Sequence, residues 1–224
     1  MDYKKGLVVN KNIIVNLPTL NRTKPIIMQE FWIFFKLGLF HILDIKAYDH
    51  VLFLIALTVP YAFKDWTRIL ILVSIFTVGH TLSLFLSVFD IIAVKSNLVE
   101  FVIPITILIA ALYNLFTAGK SSKKESISFI AIVTLFFGII HGLGFSYGIK
   151  SMLTGEAIDK FPKLLEFSLG IEAAQIIIVL CVMLLSFVFQ TLFRFNKRDF
   201  TLVMSAFVIG VVIPLLISSP IWTR

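Results

Sequence analysis

Thirteen residues, His41 to Phe53 (HILDIKAYDHVLF), place two histidines and two aspartates at the border of a strongly apolar run. Three similar intrusions follow. His80 stands midway along one apolar stretch, His141 in the last third of another, and Glu172 lies within a further one. Together with Asp49 and His50 these residues offer neutral imidazole and carboxylate, the donor set of a borderline divalent ion such as zinc, nickel or cobalt. A calcium site would instead be built from oxygen. Asp49, adjacent to His50, is also suited to orienting an imidazole rather than ligating.

The surroundings decide how costly these groups are. Of 224 residues, 58% are hydrophobic, 23 are Phe and only 15% are charged, with a mean hydropathy of +0.98. That composition excludes a soluble domain and predicts an all-α, polytopic transmembrane helix bundle lying in a lipid bilayer. Alternation in ten-residue segments, the mark of a membrane barrel, is absent. The net charge of +7 resides mainly in loops and the N-terminal tail. It reflects topology and anionic headgroups, with no nucleic-acid partner implied. Nothing names a protein partner. The single cysteine, Cys181, allows no internal disulfide and is read as packing.

Seven hydrophobic segments must position the polar groups: about 25–43, 49–63, 68–89, 98–116, 127–149, 164–193 and 200–218. The first is marginal, because Gln29, Glu30 and Lys36 interrupt it. Pro60 and Pro104 predict kinks in the second and fourth. Residues 1–27 read as a poorly ordered tail, and 28–224 as one transmembrane domain with no internal repeat or linker. Lys64, Arg68, Lys120, Lys123, Lys124, Arg194, Lys197 and Arg198 flank one set of loops. Lys46, Lys95, Lys150, Lys160 and Lys163 flank the other. The excess predicts that the first set faces the cytoplasm.

Successive helices run in opposite directions, so His41, Asp49, His50, His80, Glu100, His141 and Glu172 all fall at the midplane or in the extracytoplasmic half. Glu100 also suits the first turn of its helix as a favourable charge. At helical spacing, Thr77, His80, Ser83 and Ser87 share a face of the third segment. Ser168, Glu172 and Gln175 share one on the sixth. Thr134, Gly138, His141, Gly144 and Gly148 form a small-residue stripe on the fifth, which predicts close helix contact at the histidine.

The succession of motifs resembles the HupE/UreJ membrane proteins, especially their broader second branch. It comprises Gly38-x-x-His41, Asp49-His50-Val51-Leu52-Phe53, Phe76-Thr77-x-Gly79-His80, Val99-Glu100, Phe137-Gly138-x-x-His141-Gly142-x-Gly144 and Gly170-x-Glu172-x-x-Gln175. The resemblance implies a multi-pass protein of the bacterial inner membrane, associated with nickel or cobalt import. It further implies that His41, Asp49, His50, His80, His141 and Glu172 handle the metal. Nickel-associated members have a shorter interval than the one from His41 to His50. They also carry a histidine and a glutamate where this chain has Gly144, Phe145 and Ser146.

Three functions stay open on the sequence. A divalent transition-metal permease would capture its ion through His50, His80 and His141, with Asn114 on a path inward. An intramembrane zinc hydrolase, acting on a lipid or membrane-anchored substrate, would use Glu172 or Asp49 as general base. A structural or accessory protein would use the polar cluster only to lock helices together.

Overall fold

The computed structural model describes residues 24–44, 48–119, 127–153 and 155–222. The expected tail 1–27 therefore lies mostly outside the described residues, as do Lys46 and Lys120 to Lys124 of the loops.

Seven α-helices follow in order: α1 Lys24–Leu43, α2 Asp49–Thr58, α3 Trp66–Val88, α4 Ser96–Thr117, α5 Ile127–Met152, α6 Ala157–Thr191 and α7 Lys197–Ile217. No strand occurs among the described residues. The helices α3 to α7 are each long and apolar enough to cross a membrane. Their outward surfaces carry exposed Ile, Leu and Phe side chains, as lipid contact requires.

The second segment departs from expectation. Its apolar run reaches Phe63, but α2 stops at Thr58 after 10 residues. That is about 15 Å of helix, half the thickness of a hydrocarbon core. Pro60 is the reason. It has no amide hydrogen to continue the ladder, and the chain turns there before a short 3₁₀ turn at Phe63–Asp65. Pro60 thus ends α2 rather than kinking it, while Pro104 does lie inside α4. The sixth segment is longer than its apolar run, since α6 starts at Ala157 and takes in Pro162.

Two tight helix pairs form the frame, α3 with α5 and α1 with α6. Glycine permits both. A Cβ at Gly138 would fall on the Phe76 carbonyl, and one at Gly79 on the Leu135 carbonyl. Between α1 and α6, Gly38 and Gly170 meet the backbones of Phe167 and Phe35 in the same way. Helix α2 is wedged between these pairs and α4, with Leu52, Phe53 and Leu54 almost wholly buried. Cys181 instead faces outward from α6, so it is not a packing residue.

Candidate metal centre

Three of the four histidines are held beside one of these close contacts. His41 stands one turn beyond Gly38, His80 follows Gly79, and His141 precedes Gly142, whose Cβ position is blocked by Ser83 Oγ and the His80 carbonyl. The missing Cβ atoms let these backbones approach closely, which brings the imidazoles on them together.

The four rings meet. His41 and His50 have centroids 5.0 Å apart, His41 and His80 5.9 Å, His50 and His80 5.6 Å, and His50 and His141 5.3 Å. One ligand nitrogen from each of His41, His50 and His80 can be chosen so that all lie within 4.8 Å of one another. Around a tetrahedral ion with bonds near 2.0–2.1 Å, such nitrogens sit about 3.3 Å apart. Rotation of the His41, His50 and His80 rings would have to close the difference.

The protonation pattern also suits a ligand role. Nδ1 of His141 lies 2.8 Å from the Phe137 carbonyl, which can only accept, so this nitrogen carries the proton and Nε2 a free lone pair. His50 Nδ1 bonds the Asp49 carboxylate at 3.1 Å in the same sense. Asp49 thus orients the ring instead of pointing into the cluster. Nε2 of His41, His50, His80 and His141, with Nδ1 of His80, are all buried without a hydrogen-bond partner. Leaving one such group unsatisfied costs about 1–3 kcal/mol, and these four rings carry five such atoms, with His41, His50 and His80 each able to offer one to a common point.

Aromatic rings close the cluster above and below. Phe145 lies 3.8 Å from the His41 ring, centroid to centroid, and stacks on Phe167 at 5.5 Å. On the other face, Phe53 is 5.3 Å and Phe76 5.2 Å from the His141 ring. From the sequence, the many phenylalanines read only as lipid-facing or packing groups. Their spacing carried the signal, since Phe53, Phe76, Phe137 and Phe145 stand three or four residues from a histidine on the same helix.

Glu172 is not brought into the cluster. It accepts a 2.5 Å hydrogen bond from Ser74 Oγ, within a row between α3 and α6 that includes Thr77 to Gln175 at 2.9 Å and Thr81 to Ser168 at 2.8 Å. Glu100 is exposed and bonded to Ser96, and Asn114 donates to the Ala56 carbonyl at 2.6 Å.

Two openings flank the histidines. A cleft of about 430 Å³ is lined by Tyr48, Asp49, Glu100, Pro104 and Ser219 among others. Towards the opposite end of the bundle, a cavity of about 560 Å³ lies between α2, α4, α5 and α7. Phe53 and Phe137 form its wall nearest the histidines.

A multi-pass helical membrane protein with a histidine cluster enclosed in its bundle is what these features define. A family model described as HupE / UreJ protein matches residues 19–219, and the chain belongs to that family. No curated protein and no solved structure matches it.

Proposed function

We propose that the protein is a permease for a divalent transition-metal ion of the nickel, cobalt or zinc class, in the bacterial inner membrane with its histidine cluster toward the extracytoplasmic side. The carrying observation is the set of buried imidazole nitrogens on four helices with no partner of their own. The ion is cargo, held by His41, His50, His80 and His141 while Asp49 fixes His50 and compensates charge. The family's association with nickel and cobalt import supports this reading, as does the location of the cluster between two openings.

The hydrolase reading has less support. Its general base would have to be Glu172, which is bonded to Ser74, or Asp49, which is bonded to His50. A purely helix-locking cluster is disfavoured because locking works through hydrogen bonds that these nitrogens do not make.

The test is metal binding followed by flux. Purified protein should bind about one Ni²⁺, Co²⁺ or Zn²⁺ per chain reversibly. A His50→Ala, His141→Ala double variant, still folded by circular dichroism, should lose that binding and the flux into liposomes. Wild-type protein that binds metal but leaves flux at the level of empty liposomes would sink the permease reading.

A further inference from the structure

Resting on the permease reading, one further question is where the ion goes after the histidines. Among the described residues, the half of the bundle beyond the cluster holds no second grouping of His, Cys, Asp and Glu that could hold a metal. It does hold the 560 Å³ cavity, which starts at Phe53 and Phe137 and ends near Gly119, Lys197 and Arg198. Helices α4 and α5 make it by diverging. They touch beside the cluster, where a Cβ on Gly144 would collide with Ile103, and stand apart further along.

Only one aromatic layer divides the cavity from the histidines. The Phe53 ring is 1% exposed, stacks on Phe76 at 4.7 Å, and meets Phe137 edge-on at 5.7 Å. It also touches His141 on one side and the cavity on the other. Apolar constrictions of this kind stop ions by excluding water. Phe53 belongs to α2, which ends one and a half turns later at Thr58 and is the shortest helix of the seven.

We propose that the Phe53 ring is the barrier to metal passage, and that the cavity behind it is the vestibule through which the ion is released. Asn114, Thr134 and Thr201 place polar side chains in its otherwise largely apolar lining, where water accompanying a cation could find partners. Lys197 and Arg198 at its far end keep it from becoming a second binding site, because their charge lowers cation occupancy there.

The experiment measures Zn²⁺ entry into liposomes containing an indicator, alongside Zn²⁺ binding to the same proteins in detergent. Phe53→Ala should raise flux at least several-fold with binding stoichiometry unchanged. Phe53→Leu, which keeps most of the bulk, should act in the same direction to a smaller extent and serves if the alanine variant does not insert. Thr134→Trp, projecting into the cavity, should cut flux with binding retained. Wild-type flux in Phe53→Leu and Thr134→Trp, both still binding Zn²⁺, would overturn the barrier and vestibule while leaving the permease reading in place. Absence of wild-type flux would instead remove the permease reading itself.

Discussion

At the scale of single residues, Asp49 and Glu172 divide the roles that two carboxylates could have shared. Asp49 bonds His50 Nδ1, so Asp49→Asn should weaken metal affinity about 10–100-fold while sparing the fold, as titration calorimetry would show. Glu172 lies outside the ring of imidazoles, and Glu172→Gln should leave affinity within about threefold of wild type by the same titration. Protons would compete with the proposed metal for the same nitrogens, so affinity should fall as the solution is acidified and recover on return to neutrality. The sequence revealed the depth of every one of these residues but not always its direction. Glu172 shares its helix face with Ser168 and Gln175, and that face turns to Ser74, Thr77 and Thr81 on α3. Depth follows from counting along a helix; direction follows from which helix is its neighbour, and one sequence does not state that.

Among the helices, the tight pairs carry the greatest burden. The stripe through Gly138, His141 and Gly144 was legible as a close contact; at Gly138 its partner proves to be the α3 backbone around Phe76 and His80, whereas Gly144 faces Ile103 on α4. Gly138→Leu should therefore push α3 from α5 and cost about 1–3 kcal/mol or more, seen as a lower unfolding temperature together with weaker metal binding. Gly210, inside α7 with nothing within 4 Å of a Cβ, supplies the control: Gly210→Ala should leave metal binding unchanged and hold or slightly raise the unfolding temperature. The end of α2 was less legible. Apolar residues continue from Val59 to Phe63 without a polar break, and hydropathy alone cannot separate a helix from the apolar turn that Pro60 imposes.

For the molecule as a whole, helix number, all-α class and the meeting of the histidines at similar depth were open to reading, because apolar runs and their alternating direction fix them together. Pairing was not, since α1 packs on α6 and α3 on α5 without being sequence neighbours. The proposed orientation has a direct check in a Cys181→Ser background. A cysteine at Asp90 should react with an impermeant maleimide added outside intact cells, and one at Asp65 only after the membrane is opened. The opposite pattern would invert the topology. The shortness of α2 bears on energetics as well. Its first turn begins level with His80, about 12 Å inside the end of α3, and the cleft beside Asp49 reaches toward that level. Water in the cleft would carry the outer electrical potential inward with it, so the transmembrane voltage would drop mainly across the Phe53 layer. In the proposed permease and orientation, a doubly charged ion crossing that drop toward a negative interior would gain about 4.6 kcal/mol per 100 mV, which would make voltage alone a sufficient engine for accumulation.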